Sequence, residues 1–379
     1  MRQLLLPSTL AALALVPAAQ AFEIAGDAWS MKIEPRIQSW LEIGSTSANS
    51  TDVDPFSGVV TDDAQSFNFR IRRARLYFKG SHQDGWNFEV EMNADNIAST
   101  SGGNAGNDVD FAKVYAGKTI ESDGIEHNIW WGLYSAGDYG LTTTGAYSSA
   151  KLLFPNERTT KIIVPSTSGV GVGYSIAAGA FGGNLAISES DSKAAGADDD
   201  ADLFIAARFY TSIDEEKMTG LTESFLGKDG FHHQLGVGIN YEMQAGDTSQ
   251  IAYGIDYLFH MDAWSAQAEF IGSSRDNGTA GNDTDGLAFN VQGGYALPQD
   301  NGTVIEPALR LTYVDADTDL DDEDGVLVGE GYASGLYIDA GANYYLDGHG
   351  NKFQLALQYF GAEGDGDGFV LRLAHALEF

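Results

Sequence analysis

The 379 residues contain no cysteine, only eight prolines, and 21 Lys and Arg against 54 Asp and Glu. A chain with so few bases does not bind nucleic acid through counterion release. The missing thiols suit an exported protein, because unpaired thiols are a liability in an oxidising compartment. A long apolar run is also missing: past the first twenty residues no window approaches the eighteen or so apolar residues of a membrane helix. HExxH, GxSxG and Walker-type sequences are absent, and His127, His232, His233, His260, His349 and His375 are scattered, so no enzymatic constellation is legible.

What the chain does contain begins with "MRQLLLPSTLAALALVPAAQA", in which Arg2, a short apolar core and Ala19-Gln20-Ala21 read as a cleaved secretory signal over 1–21. The mature domain is then 22–379, with 20 bases (21 less Arg2) against 54 acids, or about −34. Forty-six Gly and 37 Phe plus Tyr (20 and 17) mark a large sheet protein, since a disordered acidic chain is poor in aromatics.

The last twelve residues, "GFVLRLAHALEF", alternate strictly. Phe369, Leu371, Leu373, His375, Leu377 and Phe379 share one face, while Val370, Arg372, Ala374, Ala376 and Glu378 share the other. A period of two marks a strand between two environments, and about eleven residues lets a tilted strand cross a bilayer. Similar stretches recur, giving sixteen expected strands near 29–43, 67–80, 86–95, 108–118, 125–134, 169–180, 184–190, 200–211, 230–243, 250–260, 263–272, 284–297, 302–315, 331–345, 352–363 and 368–379. The connections sort into a long set and a short set, as in outer-membrane barrels, except that 212–229 is long on the short side and 244–249 short on the long side. The pattern predicts an all-β transmembrane antiparallel barrel of about sixteen strands in the bacterial outer membrane, surrounded by lipid. Trp29, Trp86, Trp130, Trp131, Trp264, Tyr344 and Phe379 fall where interfacial girdles are expected.

Alternation also assigns the lumen. Lys32, Glu34, Arg36 and Gln38 point inward from the first strand, and Asn87, Glu89, Glu91, Asn93 and Asp95 from the third. In the second, "FNFRI" and "ARLYF" are out of register, which predicts a bulge near Arg72 with Arg70, Arg73, Arg75 and Lys79 inward and Arg72 and Ala74 outward. Later strands add Lys113, Asp202, Arg208, Glu242, Asp256, Glu269, Glu306, Arg310, Asp339 and Arg372. Arg36, Arg70, Arg73, Arg75, Lys113, Glu89, Glu91, Arg208 and Arg310 are thus the candidate pore-lining and selectivity residues. The Arg70–Arg75 strip reads equally as a conductor of anions or as a set of cross-strand partners for Glu89 and Glu91. The acids of 198–202, 315–325 and 364–368 fall in external loops. Asp317, Asp319 and Asp321 lack the Gly and the closing Glu of a calcium loop, so no metal site and no cofactor are assigned.

Three stretches resemble one family. "FRIRRARLYFKGSHQDGWNFEVEMNAD" at 69–95, "GLTTTGAYSSAKLLFPNER" at 140–158 and the tail "NYYLDGHGNKFQLALQYFGAEGDGDGFVLRLAHALEF" are similar, in order and spacing, to the phosphate-selective porin O/P family. The resemblance implies a trimeric sixteen-stranded porin with an inward-folded third external loop. The family's phosphate-specific members carry Lys where this chain has "WWGLYSAGD", so the resemblance carries over the architecture and leaves the solute open. The function expected is passive diffusion of small hydrophilic solutes or ions, anions such as phosphate among them. A non-conducting acidic surface barrel, acting in adhesion or surface charge, fits the same residues as the alternative.

Overall fold

The computed structural model describes residues 22–46, 65–94, 109–135, 140–141, 153, 163–164, 168–189, 203–212, 223–224, 226–227, 230–244, 248–276, 283–315, 334–362 and 367–378. These form strands β1 (Phe22–Ala25), β2 (Trp29–Thr46), β3 (Gln65–His82), β4 (Trp86–Asn93), β5 (Asp110–Ser122), β6 (Ile125–Ser135), β7 (Ser168–Ala178), β8 (Phe181–Glu189) and β9 (Leu203–Ser212). They continue as β10 (Phe231–Gln244), β11 (Thr248–Met261), β12 (Trp264–Asp276), β13 (Thr284–Tyr295), β14 (Leu297–Pro298), β15 (Val304–Asp315), β16 (Gly335–Asp347), β17 (Asn351–Ala362) and β18 (Asp367–Glu378). Leaving aside the short β1 and β14, sixteen strands pair in chain order, each antiparallel to the next, and β18 pairs with β2 to close the barrel. Closure removes every sheet edge, which is what lets a sheet sit in lipid without unpaired backbone groups.

All sixteen expected strands are present, with one instructive shift. The expected ranges leave 181–183 between two strands, but the chain reverses at Gly179-Ala180, where Gly179 adopts φ +56°, and Gly182 lies within β8. Its missing side chain admits the Tyr210 ring: a Cβ there would stand 2.1 Å from Tyr210 Cζ. At Asp123-Gly124 both residues take positive φ, 53° and 78°, the conformation of the tight primed hairpin turns.

The connections 83–85, 123–124, 179–180, 262–263 and 348–350 lie at the end of the barrel that holds both termini. Those at the other end include 47–64, 136–167 and 316–334. Short turns mark the periplasmic end and long loops the exterior. The exception over 212–229 persists, because β9 and β10 are joined by 213–230 on the periplasmic side.

Outward faces carry large apolar side chains, among them Ile255, Phe270, Leu309, Leu357 and Leu371, all exposed in the isolated chain. A soluble protein would not leave such a band uncovered. Trp29, Trp86, Trp264 and Tyr344 are exposed near the periplasmic strand ends and Trp131 further along β6, in keeping with a girdle. Trp130 does not join them. It faces inward, packed with Tyr115 against buried Tyr134, Ala186, Phe204 and Ala206, because its neighbour Trp131 takes the outward phase. Phe379 and the acidic loops around 198–202 and 317–325 lie outside the described residues, as does the signal-like stretch 1–21.

Candidate pore and its lining

Two adjacent strands, β2 and β3, pair inward residue to inward residue: Lys32 with Lys79, Glu34 with Tyr77, Arg36 with Arg75, Gln38 with Arg73 and Trp40 with Arg70. Between the last two pairs the register slips by one, leaving Arg72 as the extra residue of a bulge. The bulge therefore falls where the sequence broke phase. It corrects the placement of Arg72, however. Its guanidinium lies 5.6 Å from the Trp40 ring centroid, and Arg70 lies 5.3 Å from the same ring. Trp40 is buried on the inward face, so the bulge swings Arg72 toward it and no lipid-facing charge results.

Four of the bases are held in ion pairs. Arg75 Nη1 is 2.6 Å from Glu91 Oε1, Arg70 Nη2 is 3.0 Å from Glu42 Oε2, and Lys79 Nζ is 2.5 Å from Glu34 Oε2. Arg36 pairs with Glu378. Glu89 accepts a hydrogen bond from the Tyr115 hydroxyl at 3.0 Å, and Lys113 stands opposite Glu91 in the ladder. Cross-strand pairing thus involves Glu91 but not Glu89, and it recruits Glu42, which the sequence reading passed over.

From Arg70 a belt of paired side chains crosses six neighbouring strands. Glu42 on β2 is ion-paired with Arg70 on β3 and accepts a hydrogen bond, at 2.9 Å, from Arg372 Nε on β18. Arg372 Nη1 donates to Gln358 Oε1 on β17 at 3.3 Å, Gln358 Nε2 donates to Asp339 Oδ1 on β16 at 2.6 Å, and Arg310 Nε on β15 donates to Asp339 Oδ2 at 3.1 Å. A charge removed from water needs an opposite charge beside it, and every charge in the belt has one. Arg208 has its own solution on the opposite arc. It reaches across β10 to Asp256 on β11 in a two-pronged pair of 2.5 and 2.7 Å, passing over Gly236. A Cβ at Gly236 would lie 2.1 Å from Arg208 Nη2, so only glycine leaves the crossing open.

The two halves of the inner wall differ in exposure. From β11 to β18 nearly all the inward side chains are buried, including Gln267, Asn290, Glu306, Arg310, Lys352 and Gln354. On β3 to β7 most are partly open, including Arg70, Arg73, Arg75, Lys79, Lys113, Asn128 and Ser175. Arg208 on β9 and Arg310 on β15 face inward but are buried. The cover includes residues from 136–167. Leu153 is 1% exposed and clusters with Trp40, Ala308, Ala356 and Ala374; Leu141, Ile163 and Val164 cluster with Ala252, Ile271, Ala288 and Val314. The Leu141 amide donates to Asn240 Oδ1 at 3.0 Å. The sequence signal that could have found this is the inward series of Ala252, Ala288, Ala308, Ala356 and Ala374: small apolar residues where a wet wall would be polar.

Among the described residues no three His, Cys, Asp or Glu side chains are grouped to hold a metal ion. The arrangement offers charged and amide side chains along an open wall; the Ser–His side-chain contact of Ser265 Oγ with His260 Nδ1, at 3.0 Å, is buried away from it.

Comparison with solved structures returns outer-membrane porins of the same fold. The anion-selective porin from Comamonas acidovorans aligns with TM-score 0.56 at 10% identity, over 93% of this chain and 100% of its own. Salmonella typhi OmpF, solved with daunomycin, gives 0.56 at 12% over 94% and 100%. The trimer form of OmpT from Vibrio cholerae gives 0.54 at 11% over 92% and 100%. A search of the curated proteins finds no match. The family model for phosphate-selective porin O and P matches residues 44–368, most of the chain, and with the closed barrel it places this protein in that family of outer-membrane channels.

Proposed function

We propose that the chain forms a channel whose water path is displaced to one side, bordered by β3 to β7 and the periplasmic half of β2, with weak preference for anions at moderate salt. The observation that carries this is the one-sided burial of the inner wall. The contacts of Leu141, Leu153, Ile163 and Val164 support a third external connection that folds into the lumen and fills the β11–β18 side. The path then runs along Arg36, Arg70, Arg73, Arg75 and Lys113, with Glu89 and Glu91 beside them. Charges at a narrow site act at short range and in low dielectric, whereas the loop carboxylates are screened beyond about 8–10 Å at physiological salt. Arg36, Arg70, Arg73, Arg75 and Lys113 outnumber the carboxylates set beside them, Glu42, Glu89, Glu91 and Glu378, so the wall keeps a positive excess where selection occurs despite the net charge of −33.

Changing Arg73 and Arg75 together to Gln should move the reversal potential in a salt gradient toward cation selectivity. A potential indifferent to the change would make the strip structural and end the anion reading. The family and the trimeric OmpT neighbour support a homotrimer. Light scattering in mild detergent should give the mass of three chains, and a monomer would reject the assembly.

A further inference from the structure

At the seam between the covered and the open arcs of the inner wall, one aromatic ring meets two bases. Arg70 Cζ lies 5.3 Å and Arg72 Cζ 5.6 Å from the Trp40 ring centroid, within the range of cation–π attraction. Trp40 is 4% exposed and clusters with Leu153, Ala308, Ala356 and Ala374. That apolar cluster accounts for the covered side of the ring and not for the two guanidiniums. Toward the periplasm the β2–β3 ladder repeats the device, with Arg36 Cζ and Lys79 Nζ each 5.1 Å from the Tyr77 ring centroid. The two rungs differ in their carboxylates. Arg36 and Lys79 have one each, Glu378 and Glu34, whereas Glu42 serves both Arg70 and Arg372.

One carboxylate shared by two guanidiniums balances the charge of only one of them. The electron-rich face of an indole attracts a cation without adding a formal negative charge. In a pore the difference matters, because a base held by a carboxylate is neutralised toward a passing ion, while a base held by a ring keeps its charge on offer. We infer that Trp40 is a specificity-determining position of the channel, the positioning residue that keeps Arg70 and Arg72 in the lumen as a second basic pair on the exterior side of Arg73 and Arg75. Arg72 then belongs to the pore, because the bulge and the indole together draw it off the lipid-facing phase, where a charge is costly. The inference rests on the anion reading of the channel and adds to it the residues that hold the charge in place.

Reversal potentials in asymmetric salt test the role of the indole. Trp40→Leu keeps an apolar side chain against Leu153 and removes the ring, so the potential should shift toward cations, in the direction expected of the Arg73→Gln, Arg75→Gln protein. Trp40→Phe, which keeps a ring that attracts cations less strongly, should shift it less. With Arg70 and Arg72 both changed to Gln the potential should already have shifted, and adding Trp40→Leu to that protein should shift it no further. A Trp40→Leu potential equal to that of the wild type overturns the inference. So does an equal shift by Trp40→Leu with and without the two arginines, since packing alone would act in their absence. Should Trp40→Leu not fold, the Arg70→Gln, Arg72→Gln protein decides, and no shift there would show that the pair does not select. If the Arg73 and Arg75 change leaves the potential unmoved, the anion reading falls and this inference with it; a shift there with none at Trp40 strikes the indole alone.

Discussion

Asp256→Asn is expected to destabilise the barrel by about 3–5 kcal/mol, the cost of leaving a buried charge without its partner. Arg208 and Asp256 have side chains only 4% and 5% exposed, and the geometry holds the guanidinium against both carboxylate oxygens. Asn keeps the shape of Asp but not its charge, and Gln234 at 3.4 Å is a weak substitute for a carboxylate. The double change Arg208→Met with Asp256→Leu removes both charges, and such replacements are often close to neutral. Denaturant midpoints in detergent should therefore fall steeply for Asp256→Asn and recover in the double variant. Equal midpoints for wild type and Asp256→Asn would show that water reaches the pair and that this part of the inner wall is not covered.

The second large effect concerns the connection 136–167. Deleting 143–155 removes Leu153, whose cluster with Trp40, Ala308, Ala356 and Ala374 ties this connection to the far wall. Losing that contact uncovers Trp40, Ala308, Ala356 and Ala374 on β2, β15, β17 and β18, and the lumen beside them should fill with water. Single-channel conductance is then expected to rise, because the resistance of a pore is concentrated at its narrowest part. Unchanged conductance in a folded protein would mean that the segment is not the constriction.

How much of this was legible beforehand follows from what each signal depends on. Strands with lipid on one side and a polar interior on the other must alternate, so the final strand and fifteen others could be read from period alone, and the phase slip at Arg72 could be read as a bulge. Side-chain direction at the bulge could not, since an extra residue breaks the alternation that assigns faces; Arg72 reaches Trp40 for that reason. The strand start expected at 184 came too late because Gly182 serves a different purpose from a reversal: it leaves room for the Tyr210 ring of the next strand. Pairing partners stayed hidden for a different reason. Whether Arg70 meets Glu89 on one neighbour or Glu42 on the other depends on register, which a sequence leaves open until the strands are laid side by side. The burial of β11–β18 depends on what lies inside the barrel, and its one trace in the sequence is residue type at inward positions, the small apolar Ala252, Ala288, Ala308, Ala356 and Ala374.

Thiol reactivity in the conducting protein tests the displaced water path most directly, because the chain brings no cysteine of its own. Asn128→Cys and Ser175→Cys sit on the open side, Gln267→Cys and Gln354→Cys on the buried side. A charged methanethiosulfonate added to a bilayer carrying each variant should react quickly with the first two and reduce the current, and should leave the second two untouched until 143–155 is removed from the Gln354→Cys protein. Equal rates at all four positions would describe a central, evenly lined pore and would contradict the account.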